Sequence, residues 1–155
     1  MRQFIRTVQD FALLVARLVV GAIMIVHGVR RFQAGPDAIA DKVEALGLPW
    51  AEVIAWATIG FEVVGGILLV FGLVTPLIGG LLLVEQGVLV FAQKFGNGFD
   101  VMDGGYEYNM ALAALGLLLM AFGSGRAGID VLLGGNANDD REESEERFIR
   151  DADPA

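Results

Sequence analysis

The chain has 155 residues, of which 55% are hydrophobic, with a mean hydropathy of +0.59 and a net charge of −8 at pH 7. It contains no Cys and a single His, which excludes disulfides, thiol chemistry, cysteine-ligated metal centres and a bis-histidine haem within one chain. The apolar residues are gathered into long blocks. This pattern predicts an integral membrane protein that lies in a lipid bilayer and has no nucleic-acid partner.

The first apolar block predicts a membrane span at Phe11–Val29, which Arg30 and Arg31 close at the interface. The block is long, contains Arg17 and lacks a small-residue cleavage site, so we interpret it as a retained span and not as a signal peptide. In the loop that follows, Ala38–Leu46 is predicted to form a short amphipathic helix on the membrane surface.

The second span is predicted at Trp50–Val74, which is long enough to cross a hydrocarbon layer of about 30 Å. Glu62 lies near its middle, where a charge costs roughly 2.5–3.5 kcal/mol, so this carboxylate should have a partner. A tight turn at residues 75–76 then predicts a hairpin with the third span, Leu77–Gln93. That span carries Glu85 at mid-depth.

Several glycines of these two spans recur at heptad-like spacing and are expected to let the helices approach closely. They are Gly65, Gly72, Gly79, Gly80 and Gly87.

The fourth span is the shortest, with an apolar core at Met110–Phe122 that extends to Tyr106–Gly123. A polar, glycine-rich loop at residues 94–105 precedes it. The predicted fold is therefore an all-α bundle of four transmembrane helices within residues 1–135. Residues 136–155, with eight acids and three arginines, are expected to form a disordered cytoplasmic tail.

These spans carry a series of short motifs whose order and spacing are specific although each motif alone is weak. They are Arg17-Leu-Val-Val-Gly21, His27-Gly28 with a basic residue at Arg30 or Arg31, Leu46-Gly-Leu-Pro49, Phe61-Glu62-Val-Val-Gly65-Gly66, Gly72-Leu-Val-Thr-Pro76, Gly105-Tyr-Glu107-Tyr-Asn109, Gly123-Ser-Gly125 and Ile129-Asp130. Together they resemble the DoxX family of small four-helix prokaryotic membrane proteins. The resemblance implies a multi-pass protein of the plasma (inner) membrane with both termini cytoplasmic, an orientation that positive charges alone do not decide.

The resemblance further implies a link to membrane oxidoreductase complexes, such as thiosulfate:quinone oxidoreductase, and to oxidative-stress assemblies. We interpret the chain as a non-catalytic subunit or assembly factor of such a redox system, with a membrane or membrane-associated redox protein as its partner. The alternatives are a quinone-interacting oxidoreductase subunit and a carrier of a small solute or proton. No intrinsic cofactor is expected, although a quinone fits between the helices of such a bundle, and whether the chain is an enzyme stays open.

The first candidate site is an intramembrane charge cluster of Arg17, Glu62 and Glu85, which fall at comparable depths. We expect Arg17 to pair with Glu62, with Glu85 as the alternative or third member. The cluster is either a charged cavity for a proton, ion or quinone head group, or an ion pair that fixes helix order; the second interpretation is favoured. One arginine against two carboxylates leaves an excess acid, which keeps the first interpretation open.

The second candidate site is a polar cluster at the external end of the bundle. Its members are His27, Glu52, Lys94, Tyr106, Glu107, Tyr108 and Asn109. A histidine beside carboxylates is suited to proton relay or metal binding, but one nitrogen ligand is a poor match for zinc. We therefore predict no metal site and favour an interfacial hydrogen-bond cluster, whose catalytic role is unknown.

Overall fold

The computed structural model describes residues 2–125 and residue 128 of the chain. These residues are mostly helical and contain no strand, so the prediction of an all-α fold is confirmed. The predicted tail at residues 136–155 and the Ile129-Asp130 motif lie outside the described residues.

The first helix, α1, runs from Arg2 to Ala34 and is longer than the predicted span Phe11–Val29. Residues 30–34 continue the helix because arginine, glutamine and alanine are good helix formers. Gly35, with a φ of +88°, and Pro36 then end it. Arg30 and Arg31, which were predicted to close the span at the interface, therefore lie within the last turns of this helix.

The second helix, α2, spans Asp37–Ala45 and agrees with the predicted amphipathic helix. It packs against the first turns of the next helix and buries Val43. This short helix therefore covers one side of the bundle near the C-terminal end of α1.

The third helix, α3, spans Ala51–Phe71 and contains a π-helical turn at Phe61–Gly65. Such a turn holds one residue more than an α-helical turn and is frequent at functional sites. The connection to the next helix lies at residues 72–74, before the position predicted from Thr75-Pro76. Pro76 instead occupies the first turn of the following helix, where its missing N–H has no cost.

The fourth helix, α4, spans Thr75–Asn97 and ends in a π-helical turn at Val90–Lys94 and a 3₁₀ turn at Phe95–Asn97. The last helix of the described residues, α5, spans Glu107–Phe122 and has 16 residues. Among the described helices, three are long and apolar enough to cross a membrane, and α5 is a shorter apolar helix. This is the architecture of a helical membrane bundle.

Glycines set the closest helix contacts of the bundle. A Cβ on Gly21 of α1 would lie 2.7 Å from the carbonyl oxygen of Gly66 in α3, and a Cβ on Gly79 of α4 would lie 2.7 Å from that of Gly116 in α5. Gly87 of α4 faces open space, so only part of the predicted glycine series serves helix packing. The buried core lies between these helix pairs and consists of Val20, Met24, Leu69, Ile78, Leu82 and Leu119.

Candidate functional site

One buried carboxylate, one half-buried carboxylate and one arginine meet between α1, α3 and α4. The Nη1 atom of Arg31 lies 2.9 Å from Oε1 of Glu62 and 3.7 Å from Oε1 of Glu85. Glu62 is only 3% exposed, whereas the Arg31 side chain is 29% exposed. An ionised carboxylate as buried as that of Glu62 needs a cation beside it, because an isolated ion is costly to bury.

Close packing of α1 on α3 brings Arg31 to these acids. A Cβ on Gly28 would lie 2.9 Å from the Cβ of Glu62, so the two backbones nearly touch one turn before Arg31. Glu62 itself lies in the π-helical turn. The extra residue of this turn determines the face of α3 on which Glu62 lies. The glycine and the π turn together place the carboxylate beneath the guanidinium.

The charges continue into a polar chain that consists of Glu62, Arg31, Glu85, Gln86, Asn109 and Lys94. Gln86 Nε2 donates to Glu85 Oε2 at 3.3 Å, and Asn109 Nδ2 donates to Gln86 Oε1 at 2.7 Å. Lys94 Nζ donates to Asn109 Oδ1 at 2.8 Å. The polar chain thus links α1, α3, α4 and α5, and Arg31 is the cation that contacts both of its carboxylates.

Glu62, Glu85 and Arg31 keep unused hydrogen-bonding capacity. Oε2 of Glu62 is buried without a hydrogen-bond partner, and Oε1 of Glu85 has only its longer ion pair with Arg31. No hydrogen bond to a described residue uses Nε or Nη2 of Arg31. Buried polar groups usually find a partner, so unused donors and acceptors here are the feature expected where a ligand binds.

A cleft of about 460 Å³ lies between α2, α3 and α4, with Arg31 and Glu85 among its lining residues. Most of the other lining side chains are apolar, including Ile54, Leu81 and Val84, which are also exposed on the outer surface of the bundle. Both the volume and the mainly apolar lining are typical of small-molecule sites. The cleft therefore joins the surface that faces lipid to the exposed part of the charge cluster.

Arg17 lies elsewhere, and its predicted pairing with Glu62 is wrong. α1 and α3 pack so that Gly28 lies beside Glu62 and Gly21 beside Gly66, which brings the Arg17 guanidinium against Gly72. Gly72 is ten residues beyond Glu62, or about 15 Å along the helix. The apolar block alone places Arg17 level with Glu62, but α1 continues five residues past Val29, which moves Arg17 further from the Glu62 level.

The second predicted cluster is brought together in part. Lys94 and Asn109 belong to the polar chain, and the rings of His27 and Tyr108 stack with centroids 6.0 Å apart. His27 lies one helical turn before Arg31, so this ring pair adjoins the charge cluster.

The remaining members of that cluster lie apart from the polar chain. Tyr106 stacks on Phe95 with a centroid distance of 6.1 Å, and the side chains of Glu52 and Glu107 are exposed. Within the part of the chain that the structure describes, His, Asp and Glu form no group of three or more that could hold a metal ion.

Sequence reasoning missed Arg31 and Gln86 as site residues. Gln86 follows Glu85 directly, and an amide at mid-depth of a span needs a partner just as a carboxylate does. Arg31 lies three residues after Gly28 and four after His27, so helical spacing places it on the same side of α1. The mid-depth amide and the helical spacing are both visible in the sequence, but they identify site residues only when the length of α1 is known.

The DoxX family model matches residues 12–94, more than half of the chain. The chain belongs to the DoxX family. The match covers every member of the polar chain except Asn109. A curated relative of this DoxX protein is the Bacillus subtilis (strain 168) protein named "Putative oxidoreductase CatD", which is 33% identical over 70 residues. These residues make up 45% of the chain and 50% of that relative, so the chain spans about half the length of the relative. No solved structure matches the chain.

A first prediction concerns the link between α4 and α5 in this DoxX protein. Asn109→Leu removes the partner of Lys94 Nζ and of Gln86 Oε1, and we expect it to lower the free energy of unfolding by about 1–3 kcal/mol. Asn97→Ala is the control, since Asn97 is exposed and bonded only to Gly104 at 3.3 Å; its effect should stay within about 0.5 kcal/mol. Denaturant unfolding in detergent measures both. An equal decrease in the free energy of unfolding in both variants would show that the Asn109 hydrogen bonds stabilise the protein no more than the exposed Asn97 contact.

Proposed function

We propose that this DoxX-family chain is a non-catalytic membrane subunit of a redox system, which holds a lipid-soluble quinone for a partner enzyme. The observation that carries the proposal is the apolar cleft that faces lipid and ends on Arg31 and Glu85. The name of the Bacillus subtilis relative, an oxidoreductase, supports a redox context. In this proposal the protein lies in the prokaryotic plasma membrane with both termini cytoplasmic, which places the cleft nearer the outer face.

The donors and acceptors in the cleft fit a quinone ring. Arg31 has N–H groups without a partner among the described residues, and these can donate to a carbonyl oxygen. Glu85 can accept from a hydroxyl group through Oε1. With both acids ionised, Arg31, Glu62 and Glu85 carry one negative charge in total, which disfavours an anionic ligand and favours a neutral one.

The residues of the chain then have binding and orienting roles. The apolar walls hold the ring, Arg31 orients a carbonyl, and Glu85 is placed to hold or release a proton at Oε1. A bound quinone supplies two-electron redox chemistry. The chain has no cysteine for a thiol or a cysteine-ligated cluster, and we assign the delivery of electrons to the partner protein.

Filling the cleft tests the proposal. Ala57 lines the cleft, so Ala57→Trp should reduce the binding of a short-chain quinone to the purified protein at least tenfold. Ala114→Trp is the matched control, because Ala114 is exposed on α5 away from the cleft, and it should bind as the wild type does. Equilibrium dialysis in detergent measures binding, and quinone extracted with the native protein gives a second readout. A wild-type protein that binds no quinone, or an Ala57→Trp variant that binds normally, would refute the proposal.

A further inference from the structure

A second pocket, of about 400 Å³, lies where the C-terminal end of α2 meets the last turns of α4. Its lining holds both lysines of the chain and no acidic side chain. The lining residues are Lys42, Ala45, Leu46, Ala92, Gln93, Lys94, Asn97 and Gly104. We call it the lysine pocket. In a chain with 19 acids and 11 basic residues, such a concentration of positive charge needs a reason.

The positive charge of the lysine pocket is not cancelled from α2 itself. Asp41 and Glu44 lie one residue before and two residues after Lys42, positions that do not share a helix face with it. Lys94 is held in place by its hydrogen bond to Asn109 at 2.8 Å, and an ammonium group keeps two further donors. The pocket therefore presents two cations beside the amides of Gln93 and Asn97, a set of donors suited to an anion.

The position of the lysine pocket points to a lipid. It shares Lys42, Leu46 and Gln93 with the apolar cleft, so its cationic end continues directly into apolar surface. The same turns of α4 expose the rings of Phe91 and Phe95, which are 77% and 62% exposed, and exposed aromatic rings at the end of a span are typical of the headgroup level. Lysine side chains at the headgroup level attract anionic headgroups, whichever face of the membrane they lie on.

We propose that the lysine pocket binds the phosphate of an anionic phospholipid, with Lys42 and Lys94 as its two charge partners. The acyl chains lie along the adjoining apolar surface. This inference does not rest on the quinone proposal, because most of the lysine pocket, including Lys94 and Asn97, lies outside the apolar cleft. Free phosphate carries the same anionic group but has no acyl chains to contact the apolar surface. The pocket should therefore prefer the lipid over free phosphate.

Lipid retention measured by native mass spectrometry of the full chain tests this proposal. The protein is purified in mixed micelles that contain phosphatidylglycerol and phosphatidylcholine with identical acyl chains. The wild type should retain phosphatidylglycerol preferentially, and Lys42→Gln should lower that retention about three- to tenfold, as expected for the loss of one charge-assisted contact. Lys42 is exposed and outside the polar chain, so the fold should persist, which a thermal melt checks.

Arg30→Gln is the matched control, since Arg30 is an exposed cation near the C-terminal end of α1 and does not line the lysine pocket. It should leave lipid retention unchanged. Equal loss in both variants would show that general surface charge attracts the lipid, and equal retention of the two lipids in the wild type would also overturn the proposal. Displacement of the lipid by millimolar inorganic phosphate would assign the pocket to a soluble anion instead.

Discussion

Replacing Arg31 with alanine is expected to lower the free energy of unfolding by about 3–5 kcal/mol, because the change leaves the buried Glu62 and the half-buried Glu85 without their shared cation. Arg30→Ala is a matched control on the neighbouring residue, whose side chain is exposed. It should change stability by no more than about 0.5 kcal/mol. Denaturant titration in detergent, followed by circular dichroism, measures both variants.

A charge-neutral variant separates the ion pair from simple loss of packing. The triple change Arg31→Met, Glu62→Gln and Glu85→Gln removes the cation and both anions together. Because no charge is then left buried alone, it should recover at least half of the stability lost in Arg31→Ala. If the triple variant is as unstable as the single one, or if Arg30→Ala is equally damaging, the charge cluster does not stabilise the bundle in this way.

Gly72→Ala is expected to lower the free energy of unfolding by about 2–5 kcal/mol. Gly72 has a φ of +68°, where a residue with a Cβ is strained by roughly 1–2 kcal/mol. Its Cβ would also collide with the guanidinium of Arg17, which is only 1% exposed, and would lie 2.7 Å from the Cα of Gly128. Overpacking of this kind adds about 1–3 kcal/mol.

Gly47→Ala is the matched control for the backbone strain alone. Gly47 has a φ of +71°, and a Cβ there would meet nothing within 4 Å. We therefore expect a loss of only about 1–2 kcal/mol. Thermal unfolding of the two variants in the same detergent gives the difference, which is the contribution of the contacts with Arg17 and Gly128. Equal losses in the two variants would mean that these neighbours adapt freely.

The sequence predicts the number and type of the helices well, because the apolar blocks are long and are separated by turn residues. It predicts their ends less well. Residues 30–34 extend α1 although they are mostly polar, and hydropathy cannot detect a helix that continues after the apolar block has ended. The π-helical turn at Phe61–Gly65 is also invisible in sequence, since it depends on how α3 packs against its neighbours.

The site could be predicted in part for the same reasons. Glu62 and Glu85 stand out because a carboxylate within an apolar block is costly, whatever the details of the fold. Their cation could not be chosen between Arg17 and the arginine pair after His27, since that choice depends on the register of α1 against α3. Successive residues on a helix differ by about 100° in direction, so only the packing shows that Arg31, and not Arg30, reaches the acids.

The order of the charged residues along the chain also has a consequence for biosynthesis. The ribosome delivers α1 before α3 and α4, so Arg31 is already in the membrane, close to an interface where it can stay hydrated, when Glu62 and Glu85 arrive. The two acids then enter the membrane on helices joined by only three residues, and they can pair with Arg31, which has been inserted before them. An arrangement with the acids first would leave two bare carboxylates in hydrocarbon until the last helix emerged, at a cost of several kcal/mol.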